Sequence, residues 1–220
     1  RVSTIRSIAA DAGTQIRVGG VVDRDFRSTA EATDLQTESG VHVLGVHEVE
    51  NLFLHPATLR VLIDQNGREK AEPIALIRNA SDARAGSWIF QYTMATRNAR
   101  ALPEMLPAAK ERAKNLSWGQ IASNEEGMIA SIASASGLQG ADAAKLLELL
   151  KVGLRAYERH AASSDLWKVC EGKQVLSDVA RQIGFSGPAS QMLATYGVWD
   201  RDGAELPDEL SALRAYLGSL

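Results

Sequence analysis

The sequence predicts an α/β chain, with a small parallel sheet near the N-terminus followed by a mostly helical C-terminal region. Three observations predict it. Gln15 to Asp23 is a largely apolar, β-branched run, the kind of strand buried in a parallel sheet. Val41-His42-Val43-Leu44-Gly45-Val46 reads as a second strand, and the segment between them is long enough for a parallel crossover. From there on, apolar residues recur mostly at helical spacing. The division falls after residue 68, giving a sheet-containing unit over 1–68 and a mainly helical region over 69–220.

In chain order, Val2, Ile5, Ile8 and Ala9 recur at helical spacing and Gly13 is a C-terminal stop. A chain that opens on Arg1 and already reads as a helix has the look of a fragment of a longer polypeptide, a look that processing also produces. Ser28 to Ser39 is polar and reads as a short exposed helix or a loop. Pro56 to Asp64 reads as a short helix with Leu59, Leu62 and Ile63 inward, and Gln65-Asn66-Gly67 as a turn. Residues 86–94 fit a strand or the start of a helix equally. Ala141 to His160 is the clearest helix, with Leu146, Leu150, Leu154 and Tyr157 on one stripe. Lys173 to Ile183 is another, and Pro207 to Leu217 closes the chain.

Composition narrows the function. The 220 residues are 45% hydrophobic and 23% charged, ordinary for a globular chain long enough to bury a core. A formal net charge of −3 argues against coating nucleic acid by bulk charge and leaves room for a local basic groove. The single cysteine, Cys170, excludes a disulfide framework and a cysteine-rich zinc module, and it fits a reducing, cytoplasmic setting. Apolar runs fall short of the ~18 residues of a membrane span, and no signal-peptide pattern is visible.

Chemistry concentrates where the first strand ends. In Val21-Val22-Asp23-Arg24-Asp25-Phe26 the strand period places Asp23 and Asp25 on one face, roughly 7 Å apart. At an effective dielectric of ~20 their repulsion costs about 2 kcal/mol, and a hard divalent cation turns that cost into attraction. A strand end followed by a solvated polar turn is the plain alternative. His47, Glu48 and Glu50 follow the second strand, so in a parallel pair both acidic groups fall on one sheet edge. Glu48 or Glu50 then adds a carboxylate to a metal site, or simply favours a helix N-terminus. His47-Glu48 lacks the second histidine of a zincin, since position 51 is Asn51. Glu171-Gly172-Lys173-Gln174 is not a P-loop, yet a lysine starting a helix can steady a phosphate or a leaving oxygen; an exposed surface lysine is the alternative.

Between Arg78 and Lys114 the charge balance is about +4, with Arg97, Arg100, Lys110, Arg112 and Lys114 among the cations. Trp88, Phe90, Tyr92 and Trp118 lie in or near that stretch. Cations beside aromatics suit a nucleic-acid backbone and unstacked bases, and a solvated face over core aromatics gives the same pattern. His42, His55 and His160 have no partner at ligand spacing and read as structural; Cys170 reads as buried and inert.

Together these residues resemble the TOPRIM nuclease domain of OLD-family proteins and the related TOPRIM-like domains called DUF4435. The likeness runs through Val21 to Phe26, Val43 to Val46, and Glu48-Val49-Glu50-Asn51-Leu52-Phe53-Leu54-His55-Pro56. It resumes at Trp167 and at Gly172-Lys173-Gln174-Val175-Leu176. It covers residues 1 to about 60 well and 165 to 185 loosely. The resemblance implies a partial TOPRIM-like, Rossmann-like sheet and Mg²⁺- or Mn²⁺-dependent cleavage of DNA, more than RNA, in a phage-defence or DNA-processing system. By it, Asp23 and Asp25 are metal ligands, Glu50 is a further ligand or its support, and Lys173 stabilises the transition state. Such domains are commonly joined to an ATPase, which here would lie in another segment or subunit, and a homo-oligomer is compatible. TOPRIM domains begin with a strand ending in Glu-Gly, and nothing before Asp23 supplies it. Either the chain has been cut or the domain is a binding or assembly module without full activity. Two other Asp-x-Asp enzymes fit less well: a HAD phosphatase wants Thr or Val where Arg27 stands, and a nucleotide-sugar transferase wants an upstream nucleotide-binding region.

Overall fold

The computed structural model describes residues 19–95, 102, 106–185 and 208–219. The expected helix over Arg1 to Gly13, and the cations Arg97 and Arg100, lie outside the described residues.

Strands β1 (Val21–Val22) and β2 (His42–Val43) form a parallel pair, with Val21 beside His42 and Val22 beside Val43. Helix α1 (Thr29–Ser39) makes the crossover. Its start is written in the sequence: the Ser28 hydroxyl accepts from the Glu31 N–H, and the Glu31 carboxylate accepts from the Ser28 N–H. Gly40 ends it in the left-handed region, at φ 61°. The part of the expected strand before residue 19 lies outside the described residues. Val21 is 40% exposed, and among the described residues β1 has a neighbour on one side only. The pairing nevertheless runs past the strand ends, where Arg24 N–H donates to Val46 O (3.3 Å) and Asp25 N–H to His47 O (2.9 Å).

A 3-10 turn over Val49–Leu54 leads into α2 (Pro56–Gln65), whose first position is a proline and whose start is capped by His55 Nδ1, which accepts from Ala57 N–H. The rest of the described chain is helical: α3 (Pro73–Asp82), α4 (Ala85–Ala95), α5 (Pro107–Lys114), α6 (Trp118–Ser123), α7 (Glu125–Ala135), α8 (Gly140–Ala161), α9 (Leu166–Val169), α10 (Gly172–Gln182) and α11 (Asp208–Gly218). The ambiguous stretch 86–94 is thus helix α4. Its ambiguity has a cause: apolar side chains lie on most of its circumference because neighbours cover it on several sides, so no amphipathic stripe betrays the period.

Among the described residues three apolar clusters result, the smallest being Ala32, Val41 and Val43 between α1 and the sheet. Another gathers α4 to α8 around Ile89, Leu150, Leu154 and Tyr157. There α8 approaches α4 so closely that a Cβ on Gly153 would stand 2.7 Å from Thr93 Oγ1 and 2.9 Å from Ile89 O. The third joins Leu44 to Ile63 with Trp167, Val175, Val179 and Leu210, so it draws on both sides of residue 68. Helix α11 docks beside the sheet through Tyr216, whose hydroxyl accepts from Gly20 N–H (3.0 Å) and donates to Gly40 O (3.3 Å).

Candidate functional site

Ladder-like hydrogen bonds continue through Asp25 N–H, and there the chain turns: Arg27 N–H donates to Arg24 O (3.1 Å). Asp25 sits in the left-handed region at φ 49°, which an aspartate tolerates better than most residues. Strand alternation therefore stops short of Asp25. The expected shared face is replaced by two separate engagements. Asp23 Oδ1 accepts from Val49 N–H (3.0 Å), while Asp25 Oδ2 meets Arg27 Nη1 at 2.7 Å in an exposed ion pair.

The acids still feel one another. Burial raises the Asp23 carboxyl above its ordinary range, and the negative charges of Asp25 and Glu50 raise it further. The Val49 N–H and the nearby His47 oppose them. Asp23, Asp25 and Glu50 therefore lie in one electrostatic neighbourhood, as the parallel pairing of the strands requires.

Glu48 has a different task. Its Oε2 accepts from Lys173 N–H at 2.9 Å, so its carboxylate caps the start of α10. Its own N–H donates to Asn51 Oδ1 (2.8 Å). Asn51 is fully buried, and its Nδ2 donates to Trp167 O (2.6 Å) and Cys170 O (3.1 Å). Gly172 lies against the same amide: a Cβ there would stand 2.3 Å from Asn51 Oδ1 and 3.0 Å from Asn51 N. Only glycine fits. The Glu-Asn and Gly-Lys elements, far apart in sequence, thus meet in one polar knot. Lys173 contributes its backbone N–H to that knot, and the residue is exposed.

Oxygen donors such as these suit a hard cation, and a cation would relieve the repulsion on Asp23. Asp25 would first have to exchange Arg27 for the ion. Among the described residues, no group of three or more His, Cys, Asp or Glu stands ready to hold one.

The basic helix divides its cations. Lys110 lines a cavity of ≈ 540 Å³ together with Asp25, His47 and Glu48. Arg112 Nε donates to Ser131 Oγ (3.0 Å), and Lys114 pairs with Glu111 (3.4 Å). Lys110 and Lys114 are one turn apart, and Arg112 falls on another face of α5. Trp88 and Phe90 belong to the core, while Tyr92 and Trp118 are half-buried. Neither Asp23 nor Glu50 lines this cavity or the larger one of ≈ 1060 Å³ beside it.

The structural histidines behave as expected. His42 stacks on Tyr216, His55 caps α2 and His160 meets Trp88 edge-on. Cys170 is buried, with its thiol pushed up to about 12 by desolvation, and is inert as a nucleophile.

The burial of two residues escaped the sequence reading. Glu171 is 5% exposed, accepts from Gln91 Nε2 (2.6 Å), and is raised chiefly by burial. His47 is 5% exposed, its ring 4.4 Å from that of Phe26, and its Nδ1 is buried without a hydrogen-bond partner. The one available signal was its place at the end of an apolar run, where an imidazole is drawn inward with its neighbours. No protein-family model, curated protein or solved structure matches the chain.

Proposed function

We propose that this chain is a TOPRIM-like, divalent-metal-dependent nuclease domain that hydrolyses phosphodiesters of DNA or RNA. In this reading it works with an ATPase domain or subunit in an OLD-type defence system. The supporting observation is convergence: the strand end bearing Asp23 receives Val49 N–H, and the adjoining Glu48 receives Lys173 N–H. Three sequence-distant elements with the chemistry of phosphoryl transfer therefore meet at one end of the sheet.

Asp23, Asp25 and Glu50 are the residues that would hold Mg²⁺ or Mn²⁺, which supplies polarisation of the phosphate and activation of water. The chain itself does the positioning. Asn51 and Gly172 set the orientation of Glu48, Glu48 fixes the first turn of α10, and that turn decides where the Lys173 ammonium emerges. There it can meet negative charge developing on a leaving oxygen. Lys110, from the cavity that shares Asp25, can hold a neighbouring phosphate.

The Arg27–Asp25 ion pair favours a second reading, a TOPRIM-like module that binds or assembles without catalysis. Plasmid cleavage in Mg²⁺ or Mn²⁺ separates the two. Nicking that falls at least ~100-fold in Asp23→Ala and Asp25→Ala supports the nuclease. Equal cleavage by both variants removes these carboxylates from the mechanism, and no cleavage by the unaltered protein leaves the binding module.

A further inference from the structure

The cavity of ≈ 1060 Å³ shares its Asp25, Phe26 and His47 wall with the smaller cavity, and the hydrolysis proposed above does not use it. Its volume lies just above the ~300–1,000 Å³ usual for small-ligand sites. Three aromatic rings form one side. Trp88 and Tyr92 stack at 5.1 Å and 13°, and Phe26 stands edge-on to them at 5.4 and 5.5 Å. Phe26 and Tyr92 are half-buried, leaving ring surface for a flat ligand.

Two further features point to what that ligand carries. His47 is 95% buried, at 5% exposure, and its Nδ1 is sealed from solvent with no hydrogen-bond partner, so the wall holds an unsatisfied polar atom that a ligand reaches when the ring turns. At the C-terminal end of α8, the exposed Arg159 lines the cavity with no acidic partner among the described residues. Lys168, also in the lining, is already met by Glu209 at 2.8 Å. On the α1 side Arg24 donates to Arg27 O and Thr29 Oγ1 and Arg27 is held by Asp25, beside the acids Glu31 and Asp34, so a phosphate is better met at Arg159.

We propose that this cavity takes one unpaired nucleotide, its base against Phe26 and Tyr92, a polar edge of the base at His47, and its phosphate at Arg159. A base in a duplex is stacked and paired, and extruding it costs free energy. The ligand is therefore a free nucleotide or a nucleotide of a single strand. The strand form rests on the nuclease reading; the free-nucleotide form does not.

The test is fluorescence anisotropy with a labelled oligothymidylate of about 12 nucleotides, within the ~4–16 usual for single-strand sites. It is run in EDTA so that no cleavage intervenes. The single strand should bind about 10-fold or more tightly than the matching duplex, and Arg159→Ala and Tyr92→Leu should each weaken it by about 10-fold. Arg159 lies at the surface, so its variant keeps the fold even if Tyr92→Leu disturbs the core. Displacement by thymidine monophosphate assigns the site to a nucleotide alone, and oligonucleotide binding that resists it assigns the site to a strand. Equal binding of single strand and duplex, or binding unchanged in Arg159→Ala, overturns the proposal. If strand binding persists while the plasmid assay gives no Asp23-dependent cleavage, the nuclease reading fails and the nucleotide site stands. If cleavage persists and Arg159→Ala binds normally, the site fails and the nuclease stands.

Discussion

Where Asn51 meets Gly172 the chain is tied by hydrogen bonds, whereas where α4 crosses α8 it is tied by apolar contact. The first joint uses a few atoms: one amide serves Glu48 N–H, Trp167 O and Cys170 O. The second spreads over Ile89, Leu150, Leu154 and many neighbours. Apolar packing accepts several residue types of similar volume. A buried amide has one arrangement that satisfies it, and every partner lost leaves a desolvated group behind. The polar joint therefore specifies position, and it holds the elements that carry the candidate chemistry. The apolar joint supplies bulk stability.

The contrast can be broken by measurement. Asn51→Ala should cost the most, about 4 kcal/mol in urea denaturation, because it strands one buried donor and two acceptors. Leu150→Ala in the apolar joint should cost about 3 kcal/mol through its cavity. If Leu150→Ala proves the more damaging, the polar knot is not the brittle point.

Asp23→Asn should have a smaller effect, of opposite sign. Burial, Asp25 and Glu50 raise the Asp23 carboxyl, so its ionised form is disfavoured in the folded state. The stability linked to its protonation is present below the ordinary value of 3.8 and is lost as pH rises through the raised value. Asparagine keeps an acceptor for Val49 N–H without the charge. The variant should have the higher Tm at pH 7, and the gap should close on acidification below pH 3.8. Added Mn²⁺ should raise the Tm of the unaltered protein and not of Asp23→Asn, an outcome whose absence would count against a metal at this carboxylate. Smallest of all, Arg155→Ala should leave the Tm essentially unchanged, since its pairs with Glu125 and Glu158 are exposed and screened by solvent.

Local signals were legible wherever a short segment carries its own physics. Pro56 announces the start of α2 and the Leu146-Leu150-Leu154 stripe the long helix α8, whereas the polar stretch Ser28 to Ser39 leaves helix and loop open, and the Ser28–Glu31 cap decides for the helix. The crossover length allowed the parallel pairing that the two strands make. The proximity of the acids was legible too: the charges of Asp25 and Glu50 raise the Asp23 carboxyl. Strand alternation misplaced Asp25, because the backbone turns one residue too early for the period to hold. Helix α4 stayed ambiguous, because a helix covered on several sides has no polar face to mark its turn.

From the sequence alone came the two strands, the clearest helices, and the chemical character of the strand ends, all properties set by neighbours a few residues apart. That Glu48 caps a helix rather than sitting free, that Asn51 demands glycine at 172, and that His47 is buried with an unsatisfied nitrogen were decided by tertiary structure. Asn51 and Trp167 are 116 residues apart, and only folding brings such groups within hydrogen-bond reach, where the loss of water makes each unpaired atom costly.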